Sequence, residues 1–87
     1  DVNVLENIVT TVKTQTPANA ISFIIDICKK YNIDVKNIIK KLLNHIIQTG
    51  ENVSPEFLDF VELLLHSDIT NDHVYTSYAL LKLQQFL

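Results

Sequence analysis

The sequence predicts a single all-α domain, a compact bundle of about five helices. Of its 87 residues, 47% are hydrophobic and 20% are charged, and the net charge is -3. This composition supplies one small core and is far from that of disordered chains. One glycine and two prolines, against usual frequencies of about 7% and 5%, leave few sharp turns. Apolar residues also recur at helical spacing, so we expect residues 1–87 to form one helical domain.

The first helix is predicted by apolar residues spaced three and four apart: Val4, Leu5, Ile8, Val9 and Val12. Thr16 is a good N-cap, and Pro17 suits the first helical position because its missing N–H is not needed there. The second helix should therefore run from Pro17 to about Tyr31. It is apolar almost all round, which predicts a central helix packed on several sides.

The third helix should follow a tight turn. Asn32 tolerates the left-handed conformation that closes a helix, and Asp34 is placed to cap the next one. Helix three then carries the most regular apolar stripe of the chain: Val35, Ile38, Ile39, Leu42, Leu43, Ile46 and Ile47. Gly50 follows at the position where glycine commonly ends a helix.

Two further helices are predicted after Gly50. The Ser54-Pro55-Glu56 stretch repeats the cap and proline signal, and the fourth helix is marked by Phe57, Leu58, Phe60, Val61, Leu63, Leu64 and Leu65. A loop from Ser67 to Asp72 leads to the fifth helix, from about Asp72 to the end. Its apolar residues include Val74, Tyr75, Tyr78, Leu81 and Leu83.

Several functional classes are not favoured by the sequence. Cys28 stands among isoleucines, so we expect a buried thiol in a protein of a reducing compartment. The apolar runs fall well short of the roughly 18 residues that span a bilayer, so we expect no membrane contact. One glycine is too few for a phosphate-binding loop.

Catalytic and metal chemistry are also not expected. His45, His66 and His73 are too scattered for a local metal motif, and one cysteine supplies no partner pair. The pairs His66 with Asp68 and Asp72 with His73 lack a recognisable nucleophile and pocket. We therefore predict that this piece is not an enzyme and holds no cofactor or metal.

A lysine face raises the hypothesis of nucleic-acid binding. Five of the seven basic residues fall close together, and helix three places its own lysines opposite the apolar stripe: Lys29, Lys30, Lys36, Lys40 and Lys41. Lysines that neutralise phosphates give non-specific affinity. The chain has no arginine, its net charge is negative, and no aromatic residue is interleaved with these lysines for base stacking. A solvated helix face is the favoured interpretation.

The last helix raises a second hypothesis, protein association. It carries more apolar residues than a terminal helix usually exposes. Six of the ten acids lie after Gly50, where the only basic residue is Lys82, and such polarity suits oriented packing with neighbours. The predicted partner interface comprises Tyr75, Tyr78, Leu81, Lys82 and Phe86 on helix five, with Phe57 and Asp59 on helix four.

The order of these segments resembles the C-terminal collar domain of the small subunits of replication factor C, a sliding-clamp loader. The resemblance rests on five stretches: ANAISFIIDICKKY, NIDVKNIIKKLLNHII, SPEF, VELLLHSD and NDHVYTSYALLKL. It covers nearly the whole chain. Asn32 stands where the family commonly has glycine, and the loop before the last helix is shortened to ITND.

The resemblance implies an oligomerisation domain in DNA replication. It would be a piece of a longer AAA+ protein, consistent with a chain that starts at Asp1, and would join five related subunits into a ring in the nucleus. ATP, magnesium, the sliding clamp and primer-template DNA would be bound by upstream modules, with no cofactor in this piece. Two other hypotheses stay open: an unrelated helical adaptor that grips a partner helix, and nucleic-acid binding through the lysine face.

Overall fold

The computed structural model describes residues 2–87 and confirms the all-α fold class. It contains five helices: α1 (Val2–Thr14), α2 (Pro17–Tyr31), α3 (Val35–Thr49), α4 (Pro55–Leu65) and α5 (Asp72–Phe86). The predicted range of α2 and the predicted start of α5 match these bounds.

Three helices begin with a side-chain cap. The side chains of Thr16, Ser54 and Asn71 each accept a hydrogen bond from the backbone N–H three residues further on, at 3.3, 3.0 and 2.9 Å. Each cap satisfies one N–H that has no partner within its helix. Pro17 and Pro55 follow the first two caps at the start of α2 and α4. The polar-residue-then-proline signal therefore located two helix starts correctly.

Two residues with positive φ end the second and third helices. Asn32 has φ 53° and Gly50 has φ 74°, both in the left-handed region that the sequence predicted for them. Asp34 stands at the N-cap position of α3, but its side chain makes no capping hydrogen bond. The turn between α2 and α3 is thus fixed mainly by the backbone conformation of Asn32.

The fifth helix lies at the centre of the bundle. It packs against α1, α2, α3 and α4, whereas α4 packs mainly against α5. Helix α2 is packed on three sides, by α1, α3 and α5. The prediction of a central helix therefore applies to α5 at least as well as to α2.

One continuous core joins all five helices. Its largest fully buried side chains include Phe57 from α4 and Tyr75 from α5, together with Ile8, Ile24, Ile39, Leu42, Leu64, Leu80 and Leu83. Cys28 is buried here, as its apolar neighbours predicted. Burial of apolar surface on this scale is the main favourable term in folding.

Side-chain amides fasten the C-terminal turns of α5 to neighbouring segments. The Gln84 Nε2 group donates to the carbonyl oxygens of Val12, at 3.1 Å, and Gln15, at 3.0 Å. The Asn52 Nδ2 group donates to the Phe86 carbonyl oxygen at 3.1 Å. These bonds use carbonyls near helix ends, which have no partner within their own helix.

Within the described part of the chain, residues 2–87, no helix combines the length and the hydropathy needed to cross a bilayer.

Candidate protein-binding site

Two residues of the predicted partner interface belong to the core instead. Tyr75 is 1% exposed and Phe57 is 0% exposed. Because α5 contacts all four other helices, most of its apolar side chains are used inside the domain. The prediction that Tyr75 and Phe57 contact a partner is therefore wrong, and the apolar content of α5 reflects its central position.

Four of the other predicted interface residues line one open groove between α4 and α5. The groove has a volume of about 360 Å³ and is lined by Glu56, Asp59, Phe60, Leu63, Tyr78, Lys82 and Phe86. The structure therefore brings Tyr78, Lys82, Phe86 and Asp59 together. Leu81 is 50% exposed on α5, one residue before Lys82.

Aromatic rings form the floor of this groove. The Phe60 and Phe86 rings stack with their centroids 5.6 Å apart, and the Phe57 ring meets Phe86 edge-on at 5.4 Å. The Tyr78 and Phe60 ring centroids are 6.4 Å apart. Such ring pairs add about 0.5–1.5 kcal/mol beyond their buried area. The floor is therefore a well-packed surface on which a partner side chain can rest.

The predicted partner interface did not include the exposed leucines of α4. Leu63 is 57% exposed and lines the groove, whereas Leu58 is 45% exposed and does not. Three consecutive leucines at positions 63–65 cannot all face one side of a helix, because successive residues are about 100° apart. That run was the signal in the sequence that some leucine of α4 must face outward.

The groove continues past Leu63 and Tyr78 into a second recess. These two residues also line a depression of about 340 Å³, together with His66, Ser67, Asp68 and Ile69. Its walls come from the end of α4, the following loop and α5. The apolar surface centred on Leu63 is thus longer than one helical turn.

Charged side chains border the groove on both helices. Glu56 and Asp59 are exposed on α4, and Lys82 is exposed on α5. With Asp68 in the adjoining recess, acids outnumber lysines along this surface. A partner surface with excess positive charge would therefore be favoured electrostatically.

The lysine face is less uniform than the sequence suggested. The Lys36 ammonium donates a hydrogen bond to the Ile69 carbonyl oxygen and lies 5.1 Å from the Tyr75 ring centroid. It ties α3 to the loop before α5, so the prediction that Lys36 belongs to a solvated nucleic-acid face is wrong. The exposed members of the face are Lys29, Lys30, Lys40 and Lys41.

An exposed aromatic does lie among these lysines, contrary to expectation. Tyr31, the last residue of α2, is 51% exposed, and the Lys30 ammonium is 5.3 Å from its ring centroid. Tyr31 also lines an apolar cleft that has Lys41 as another wall residue. The sequence placed Tyr31 directly after Lys30, but the isolated stretch did not indicate that its ring would be exposed.

His45 makes a polar contact between α1 and α3. Its Nε2 lies 2.8 Å from Oε1 of Glu6, and the His45 side chain is 12% exposed. Helix α1 therefore covers most of the His45 side chain. At the end of α4, the exposed His66 Nε2 lies 2.9 Å from Oε1 of Glu62. His66 thus pairs with Glu62 and not with Asp68.

Burial disfavours the ionised forms of two titratable groups in the core, Cys28 and Tyr75. Burial, followed by the charges of Asp34 and Asp72, raises the pKa of the Cys28 thiol, which opposes formation of the nucleophilic thiolate. Burial, followed by Asp34, raises the pKa of Tyr75. Among residues 2–87, no cluster of three or more His, Cys, Asp or Glu side chains could hold a metal ion.

Comparison of the chain with protein-family models, with curated proteins and with solved structures gives no match. The clamp-loader resemblance thus stays a prediction from the residues that carry it.

Proposed function

We propose that the chain is a subunit-association domain of a DNA sliding-clamp loader, resembling the collar of replication factor C, and that it holds AAA+ modules in a ring in the nucleus. The supporting residues are the five stretches that resemble the family and the order of the helices. The domain itself is not an enzyme in this proposal. ATP and magnesium would be bound by the upstream modules, which would also contact the clamp and primer-template DNA.

The observation that carries the proposal is the apolar groove between α4 and α5. Leu63 is 57% exposed beside aromatic rings that are already packed. Covering a fully exposed leucine side chain is worth about 1.5–3 kcal/mol, so covering Leu63 in a neighbour would recover a large part of that. Leu81, which is half exposed on the adjacent helix, would add to the same contact.

The test compares two leucines of the same helix in the full-length parent protein. Leu63→Asp places a charge in the groove, whereas Leu58→Asp places the same charge outside it, at a residue of similar exposure. Both side chains are largely outside the core, so both variants should fold, as far-ultraviolet circular dichroism would show. We expect Leu63→Asp to prevent subunit assembly in size-exclusion chromatography and Leu58→Asp to assemble normally.

Normal assembly of the Leu63→Asp protein would refute the role of the groove. Assembly that is lost in both variants would mean that the effect is not specific to the groove. A parent protein without a phosphate-binding loop upstream of this domain would refute the clamp-loader part of the proposal and favour an unrelated helical adaptor.

A further inference from the structure

A second apolar surface lies away from the α4–α5 groove. Residues from the start of α1, the end of α2 and the beginning of α3 enclose a cleft of about 170 Å³, lined by Val4, Leu5, Tyr31, Ile33, Ile38 and Lys41. By the same measure one water molecule needs only about 10–15 Å³, so the cleft is large enough to admit an apolar side chain. Its wall is aliphatic and aromatic, with one cationic residue.

Two lysines border this cleft. Lys41 lines it directly, and the Lys30 ammonium lies over the Tyr31 ring at its edge. Lys29 and Lys40 are also exposed on the same two helices. Among the described residues that line the cleft, only Tyr31 has a side-chain amide or hydroxyl group that could pair with the edge of a nucleobase. It therefore suits an apolar side chain flanked by carboxylates better than it suits a base.

The α4 side of the groove has the complementary chemistry. Leu63 projects from it about one helical turn after Asp59 and two turns after Glu56, and both acids line the groove. On a helix, positions 56, 59 and 63 are three and four residues apart and therefore share one side. A leucine knob with two neighbouring carboxylates is the kind of segment that an apolar, lysine-edged cleft would accept.

We infer that a second copy of this chain docks head to tail, with Leu63 of one copy in the cleft of the next and with Asp59 and Glu56 facing Lys41 and Lys30. The inference rests on the proposed function only in treating the α4–α5 groove as a protein-binding surface. The two surfaces share no lining residue. The contact is therefore heterologous, and it leaves one free surface of each kind on every pair of copies, so it can repeat into a ring or an open chain.

The experiment measures the mass of the 87-residue chain by sedimentation from micromolar to millimolar concentrations. The wild-type chain should show a mass that rises with concentration beyond that of a dimer. Lys41→Glu gives a copy with an acidic cleft and an acidic groove, and Asp59→Lys gives one with a basic cleft and a basic groove. Each variant alone should stay monomeric, because its two surfaces repel.

The decisive experiment is a mixture of the Lys41→Glu and Asp59→Lys variants. Each surface of one variant then meets an oppositely charged surface of the other, so the mixture should associate about as strongly as the wild type. The matched controls are Lys13→Glu and Asp26→Lys, which make the same charge changes at exposed residues outside both surfaces. The controls should associate like the wild type.

Several results would overturn the inference. These are a wild-type chain that stays monomeric throughout, single variants that still associate, controls that fail equally, or a mixture that does not regain association. A monomeric wild type together with loss of parent assembly in Leu63→Asp would leave the proposed function standing and would show that the partner is a different chain. Intact parent assembly in Leu63→Asp would refute the role that the proposed function gives to the groove.

Discussion

The Tyr75 hydroxyl gives the sharpest prediction about the interior of the domain. Its oxygen has less than 1 Å² of accessible surface and no hydrogen-bond partner among the described residues. A buried polar group without a partner costs about 1–3 kcal/mol relative to one that stays hydrated in the unfolded chain. Tyr75→Phe removes this cost and keeps the ring that packs in the core.

The expected size follows from two opposing effects. Removing one oxygen leaves a void of roughly 10 Å³, which at about 24 cal/mol per Å³ costs about 0.2 kcal/mol. The variant should therefore be more stable than the wild type by about 1 kcal/mol, the low end of the desolvation cost. In a domain of this size that gain raises Tm by roughly 4–8 °C.

The assay is urea unfolding followed by the far-ultraviolet circular dichroism of the helices. Tyr78→Phe is the matched control, because Tyr78 lies on the open groove and its hydroxyl reaches solvent more easily. We expect a change within about 0.5 kcal/mol for the control, as for most surface substitutions. A Tyr75→Phe protein that is less stable than the wild type would show that the hydroxyl has a partner, and the reasoning would fail.

Three other predictions concern the polar contacts and the backbone. Lys36→Met should lower the free energy of unfolding by about 1–2 kcal/mol, because it removes the hydrogen bond to the Ile69 carbonyl and the charge over the Tyr75 ring. Lys40→Met, the control, should leave the free energy of unfolding nearly unchanged in the same urea assay. Asn32→Val should cost about 1–2 kcal/mol because a β-branched residue resists φ 53°, and Asn32→Gly should not; equal Tm values for the two would contradict this. Burial raises the pKa of the Cys28 thiol above its ordinary value of 9.0, so the unfolded chain loses this proton at a lower pH than the folded chain does. The stability that the protonated thiol contributes is therefore complete below about pH 9 and is lost as the pH rises through the folded pKa. Cys28→Ala should therefore reduce the alkaline loss of stability measured by urea unfolding across that range, and an unchanged pH dependence would contradict the assignment.

The fold was largely predictable because its signals are local. Proline after Thr16 and Ser54, the left-handed residues Asn32 and Gly50, and the spacing of apolar residues on α3 each act within a few positions. They located the helices without knowledge of how the helices pack. The missing side-chain cap at Asp34 is a small exception, since residue type alone does not fix a rotamer.

The candidate site was predicted only in part because exposure depends on packing. The apolar residues of the terminal helix were predicted to be exposed, yet α5 contacts four helices and buries Tyr75. Conversely, α4 packs mainly against one helix and leaves Leu63 exposed. Lys36 was assigned to an exposed face because its contact, the Ile69 carbonyl, is distant in sequence.

Oxidative footprinting of the leucines in the assembled parent protein would show whether a neighbouring subunit covers the α4–α5 groove. The oxidation rates of Leu63, Leu81 and Leu58 would be compared between the assembly and the 87-residue chain at a concentration where the chain is monomeric. All three are about half exposed in the single chain, so each should react there. We expect protection of Leu63 and Leu81 in the assembly, with Leu58 unchanged. Equal rates at Leu63 in both states, or protection confined to Leu58, would contradict it.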